Sequence, residues 1–281
     1  MATLKFVPTS SAFVLGLAAG LFYLGLSSGC RSLGSKTGPG AEPVGPSPAF
    51  PLPSPDEVLK DMRDRAASRQ NMRALGRVTY FGRQGRVRLR AVLLSLRPGA
   101  FRVELLSPAE EPVGIMTCDG ERLWLLKDRR LTTGPATAEN IARLLPMPMR
   151  PREIVDLLLG GLPSSDRFEP VSLMWANVSH QKWLLTLRAP SGDAVLLTID
   201  PTRHTVQGAR FERVGRPSMT VAFDDFKPIE GLPGEFPTHI VVQVQGDEDV
   251  RIKLESLEVN VAFDPSLFLL TPPAGIVPEP M

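Results

Sequence analysis

Sulfur and imidazole are scarce in this chain. Its 281 residues include two cysteines, Cys30 and Cys118, and three histidines. Two cysteines exclude a disulfide framework of the kind that staples small secreted domains. Cys118 lies in the apolar run Ile115-Met116-Thr117-Cys118 and reads as a small buried hydrophobe. His180, His204 and His239 are widely separated in sequence, with no carboxylate or cysteine at ligand spacing, so they read as surface or strand histidines and no metal is expected. No Gly-x-Ser-x-Gly elbow, His-Glu-x-x-His pair or phosphate loop occurs, and the expectation is that the protein is not an enzyme. Asp224-Asp225, ahead of Phe226-Lys227-Pro228, reads as a strand-end turn. Asp247-Glu248-Asp249 reads as a solvated hairpin tip. The formal net charge is only +2, and the cations are scattered among apolar residues, so no nucleic-acid partner is expected. No repeat of 20–50 residues is visible.

A membrane-spanning run is also missing. The continuous apolar stretch Ala12–Leu26 falls short of the about 20 residues that span a bilayer. It fits the apolar core of an export signal, preceded by Lys5 and the terminal amine. Leu26-Ser27-Ser28-Gly29-Cys30 follows. Small residues before a cysteine resemble the lipobox cut by lipoprotein signal peptidase, with Leu26 one place further back than usual. The expectation is a signal peptide over 1–29 and a covalent lipid on Cys30, with no other cofactor. Each buried acyl methylene contributes about 0.8 kcal/mol, so two or more chains hold a protein stably to a membrane. Arg31, in place of an acidic residue, leans toward the outer membrane, facing the periplasm of a bacterial envelope.

Residues 31–55 are rich in Pro, Gly and Ser and show no apolar period. Such a stretch cannot bury enough surface to offset its ordering entropy. With Cys30 it reads as a lipidated tether over 30–55, reaching at most roughly 80 Å in polyproline form.

The rest is globular in composition, 43% hydrophobic and 22% charged. Asp56–Ala74 is predicted as a helix: Ser54-Pro55-Asp56-Glu57 supplies a cap, a first-turn proline and early acids. The pattern then turns to period two. Val87, Leu89, Ala91 and Leu93 alternate with Arg86, Arg88 and Arg90, and Phe101, Val103 and Leu105 alternate with Arg102 and Glu104. Arg97-Pro98-Gly99 joins the two as a hairpin. Asp119-Gly120 turns the chain into Arg122–Leu126. Two short apolar helices follow, Ala138–Leu145 and Pro151–Leu159, separated by Pro146-Met147-Pro148. Strands resume at Lys182–Arg188, Ala194–Asp200, Gln207–Val214, Met219–Phe223, Thr238–Gln245 and Val250–Phe263. In the last, Val250, Ile252 and Leu254 give way to Leu257, Val259 and Val261. That odd step predicts a β-bulge near Glu255-Ser256. About ten antiparallel strands with two short helices imply a mainly β fold, a curled sheet or open, incomplete antiparallel β-barrel with an N-terminal helix. The β domain is expected over 56–276, with a tail at 277–281, in a monomer.

Three segments resemble the outer-membrane lipoprotein carriers LolA and LolB. The first is Leu94-Ser95-Leu96-Arg97-Pro98-Gly99-Ala100-Phe101-Arg102-Val103-Glu104 with Ser107-Pro108. The second runs from Asp119-Gly120 to Gly134-Pro135, then through Asn140-Ile141, Leu144-Leu145 and Leu158-Leu159-Gly160. The third is Phe236-Pro237-Thr238-His239-Ile240, Val259-Asn260, and Phe268 before Pro273-Ala274-Gly275. Together they span about residues 75–276, and their order and spacing carry the likeness. LolB is itself a lipoprotein, in keeping with Cys30. The resemblance implies an open β-barrel lidded by short helices, holding acyl chains of a lipoprotein or lipid received from a periplasmic carrier. Leu144, Leu145, Ile154, Leu157, Leu158, Trp124 and Phe101 are the candidates for its cavity and lid. The same stripe of leucines also reads as ordinary core packing. The family's membrane-insertion loop corresponds to Ser107–Val113, which is acidic, so Val113 is the one residue there suited to insertion. Two functions follow: a carrier that helps localise lipoproteins to the outer membrane, or an accessory lipoprotein or envelope sensor with a filled interior.

Overall fold

The structure, a computed structural model, describes residues 51–82, 85–145, 147–161, 167–177, 181–244, 248–272 and 274–281. Cys30, its apolar leader and most of the tether lie outside that set. The chain runs through α1 (Pro55–Ala67), β1 (Asn71–Gly82), β2 (Gly85–Leu96), β3 (Ala100–Leu106), β4 (Pro112–Cys118), β5 (Arg122–Lys127) and β6 (Arg130–Pro135). Next come α2 (Ala138–Leu144), α3 (Pro151–Leu158), β7 (Glu169–Asn177), β8 (Lys182–Arg188), β9 (Ala194–Asp200) and β10 (Thr205–Glu212). Then β11 (Met219–Pro228), β12 (Glu235–Val244), β13 (Glu248–Val259), a 3-10 turn at Pro265–Phe268 and β14 (Glu279–Pro280) complete it.

All fourteen strands belong to one sheet, in the order β14-β6-β5-β4-β3-β2-β1-β13-β12-β11-β10-β9-β8-β7. The pairing is antiparallel except at β14, which adds parallel to β6. The two ends of the sheet, β7 and β14, do not pair, so the sheet curls without closing. This is the open, incomplete barrel expected, with four more strands than the about ten read from the sequence.

The differences have identifiable causes. The predicted first helix ran to Ala74, but α1 stops at Ala67. Its start is as read: Ser54 and Glu57 form a reciprocal capping box with Pro55 in the first turn. Beyond Ser68 the residues Met72 and Ala74 alternate inward, and β1 is paired along its length by β2 and β13. Asn260 fastens the switch, donating to the Ser68 carbonyl at 2.8 Å and accepting from the Gln70 amide at 2.8 Å. The strands β4, β6 and β7 were not read as strands, and β13 stops at Val259, short of the Phe263 expected. Asp224 and Asp225 lie inside β11 rather than at a turn, with Asp225 at φ 53° and its carboxylate accepting from the Thr238 hydroxyl at 2.8 Å.

The predicted bulge is present. Leu75 pairs with Ser256 and Gly76 with Leu254, which leaves Glu255 as the extra residue. Both Leu254 and Leu257 therefore meet the concave side. A side chain at position 76 would place its Cβ 2.6 Å from the Lys253 carbonyl oxygen, so glycine is required where the backbones crowd.

The concave face carries the core, with Leu93, Phe101, Leu123, Leu185, Leu197 and Ile240 almost wholly buried on its strands. The chain from α2 to α3 lies in that concavity. A smaller apolar cluster on the other face joins Leu94, Ala100 and Phe268.

A candidate apolar site beneath a pinned helix

The site begins with α3. Pro151 opens it, and the Glu153 carboxylate accepts from the Arg150 amide at 2.7 Å. Seven of its eight residues are buried, which is how a helix reads when protein surrounds it. Two of the seven are acids, Glu153 and Asp156, exposed by only 5% and 2%. A buried carboxylate is costly unless paired. Asp156 meets Arg97, from the β2–β3 hairpin, at 2.5 Å. Glu153 meets Arg213 at 2.8 Å and Arg167 at 3.3 Å. Arg213 also donates to the Pro148 carbonyl just before the helix.

The far end of α3 is held by Arg69. Its guanidinium donates to the carbonyls of Leu159 at 3.1 Å, Gly160 at 3.2 Å and Glu235 at 2.8 Å, and stacks over the Phe236 ring. Burial, with Arg65 and Arg97 nearby, lowers its pKa to about 10, so it stays charged at neutral pH. Four arginines, at positions 69, 97, 167 and 213, thus fasten the helix from distant parts of the chain.

The other face of this segment is entirely apolar. Leu145, Met147, Met149, Ile154, Leu157 and Leu158 face Val78, Leu93, Phe101, Val103, Val250 and Ile252 across a cavity of about 50 Å³. Among the described residues no polar residue lines it. A smaller void, about 10 Å³, lies on the other side of Leu157 and Met149, against Ala209, Phe211, Val221 and Phe223.

Of the residues expected at such a site, Phe101, Leu145, Ile154, Leu157 and Leu158 do come together around this cavity. Leu144 is half-buried and packs on the core beside it. Trp124 is a correction. It alternates with Leu123, which is buried in the core, and pairs across strands with Thr117 and Thr133, so it occupies the opposite face of the sheet. Val113 is the second residue of β4 and is 43% exposed, next to the acidic turn at Glu110 and Glu111. Cys30 lies outside the described residues.

Sequence reasoning missed the polar fastenings. The signal was there: two acids three residues apart on the buried face of a short helix mark buried partners. Cys118 is buried, and burial pushes its thiol up to about 12, as suits an unreactive core residue. His204 contacts Asp61 of α1 at 2.7 Å, and His239 lies in β12; His180 is outside the described residues. Among the described residues no group of three or more His, Cys, Asp or Glu could hold a metal, and no helix is long and apolar enough to cross a membrane.

Neither a family model nor a curated protein matches the sequence. Solved structures do match the fold. A LolA superfamily protein from Nitrosomonas europaea aligns with a TM-score of 0.55 and 14% identity, over 78% of this chain and 99% of its own. A putative outer membrane lipoprotein-sorting protein domain from Vibrio parahaemolyticus gives 0.54 and 11%, over 76% and 97%. A DUF1329 family protein from Desulfovibrio piger gives 0.58 and 10%, over 76% and 95%. At these identities the likeness is one of architecture, and the curled sheet with helices in its concavity is a LolA/LolB-like fold.

Proposed function

We propose that this protein is an envelope lipoprotein that takes acyl chains, of lipids or of lipoproteins, into the concavity of its sheet. The supporting observation is the cavity beneath α3, lined on every side by apolar residues. At about 50 Å³ it is far smaller than the roughly 150 Å³ that holds benzene. An acyl chain therefore enters only as the α2–α3 segment withdraws, replacing Leu145, Leu157 and Leu158 against the sheet. Such an exchange swaps one apolar contact for another, so little hydrophobic free energy is lost. In this reading residues 1–29 are an export signal, Cys30 bears the lipid, and 30–55 tether the domain to the outer membrane on its periplasmic side. The cargo is handed over by a periplasmic carrier, Val113 is the residue that enters the bilayer, and no reaction is catalysed.

A second reading is an accessory or sensor lipoprotein whose interior stays filled. The small size of the voids favours it. Native mass spectrometry of the protein purified from a cell envelope separates the two. Co-purified lipid or acyl peptide is the expected result. No bound mass, together with no uptake of a fluorescent fatty acid, would leave the accessory reading standing.

A further inference from the structure

Just outside the α3 segment lies a second cavity of a different kind. It measures about 260 Å³ and is lined by Arg150, Arg167, Arg213 and Arg216, with Asp193 and Val214. Two hairpin ends build it. The β10–β11 turn places Arg213 and Arg216 on one side through Gly215 at φ 72°, with the Arg216 amide donating to the Arg213 carbonyl at 3.2 Å. The β8–β9 turn is tied to it by the Val214 amide, which donates to the Asp193 carboxylate at 3.3 Å. The fourth wall is Arg150, where α3 begins.

Among the described residues the charges do not cancel. Four guanidiniums meet three carboxylates: Glu153 is shared by Arg167 and Arg213, Asp193 stands 3.6 Å from Arg167, and Glu139 pairs with Arg216 at 2.5 Å. Among the described residues no carboxylate pairs with Arg150. The Nε of Arg167 is buried and has no hydrogen-bond partner. Guanidinium forks converging on a space of this size suit a group with several anionic oxygens reachable from different sides, which is a phosphate. A single carboxylate presents its two oxygens to one fork, whereas a phosphate presents oxygens to several at once.

The position of this pocket matters as much as its charge. Met147 and Met149 point into the apolar interior and are buried, whereas Arg150, the next residue, is exposed and lines the arginine pocket. One short stretch of chain therefore separates a basic pocket roomy enough for a phosphate from an apolar cavity.

We propose that the arginine pocket binds a phosphate group, and that its source is the head group of an acidic phospholipid whose acyl chains lie in the neighbouring cavity. The phosphate half stands on the pocket alone; the acyl half rests on the carrier reading above.

The test is calorimetric titration of the full chain in a non-ionic detergent, beside the variant R150Q/R216Q. Both arginines are exposed, and the pair Arg216–Glu139 is a surface contact whose loss costs little stability. Three probes are titrated: dihexanoyl phosphatidylglycerol, dihexanoylglycerol and inorganic phosphate. The expected result is that phosphatidylglycerol binds at least tenfold more weakly to the variant, with dihexanoylglycerol unchanged and inorganic phosphate weaker than phosphatidylglycerol on the wild type. Inorganic phosphate binding as tightly as phosphatidylglycerol, and weakening equally in the variant, would keep the phosphate site and overturn the lipid source. Phosphatidylglycerol binding that is absent, or unchanged in the variant, would overturn the proposal. Failure of fatty-acid uptake with the phosphate response intact would remove the carrier reading and leave the pocket.

Discussion

Replacing Asp156 by alanine tests the idea of a withdrawing helix, because it moves stability and affinity in opposite directions. Asp156 is 2% exposed and sits 2.5 Å from Arg97, itself 14% exposed. Removing one partner of a buried pair leaves the other charge uncompensated, at a cost of about 3–5 kcal/mol. Arg97 already has one buried nitrogen, Nη2, without a partner, so it has little to fall back on. Urea unfolding of the free protein should therefore show a loss of about 3 kcal/mol or more. The same loss applies to the closed seat of α3 but not to a state in which the helix has left. If the acyl chain binds only that open state, apparent affinity rises with its population, and about 3 kcal/mol corresponds to a factor on the order of 100. A fluorescent fatty acid should thus bind far more tightly to a less stable protein. Lower stability with unchanged or weaker binding would refute the reasoning, since the chain would then enter without displacing α3. Asp156→Leu combined with Arg97→Met supplies the control: the buried charges are gone together, and stability should return toward the wild type.

Cys30→Ala should abolish incorporation of a radioactive fatty acid and leave the precursor uncut; equal label on both proteins would end the lipoprotein reading. Gly76→Ala should destabilise the domain by more than about 2 kcal/mol in urea unfolding, because its Cβ meets the Lys253 carbonyl at 2.6 Å and that neighbour is backbone; a change within the usual error would mean the bulge relaxes freely. Native protein at pH 8 should leave Cys118 unmodified by iodoacetamide, since burial raises its thiol to about 12. Rapid labelling without denaturant would show that the core around it opens.

The architecture was largely legible because the sheet has one wet face and one dry face. Alternation then marks both the strand and its orientation, as in Val87–Leu93 and Phe101–Leu105. The Glu255 bulge was readable for the same reason, since a single odd step in an otherwise even pattern has one meaning. β1 was lost because a strong helix start at Ser54 was extended over Met72 and Ala74, which suit either period. β7 was lost because two bulges, at Pro170/Ser172 and Trp175/Asn177, break its alternation. Four apolar residues of the site, Leu145, Ile154, Leu157 and Leu158, were legible as a helix stripe, and Phe101 came from the family resemblance. The polar half was not legible, because Arg69, Arg97, Arg167 and Arg213 are distant in sequence, and only the fold brings them to one helix. Trp124 was misplaced by treating a large aromatic as interior when its neighbours Leu123 and Leu125 already claimed that face.

The order of strands also dictates when this chain can fold. β2 to β6 and β7 to β12 are runs of hairpins, each strand beside its neighbour in sequence. Two pairings are different: β14 joins β6 at one end of the sheet, and in its middle β1 pairs with β13, where Met72 lies opposite Val259, 259 − 72 = 187 residues later. Closing a loop of that length costs about 4–5 kcal/mol by the logarithmic rule. The two runs can assemble locally, but the seam joining them waits until nearly all of the chain has been delivered. During that interval β1 and the apolar faces beside it are uncovered. A chain released in order from its N-terminus thus carries an unfinished middle until its last strands arrive, and a truncation before Glu248 removes the partner that completes it.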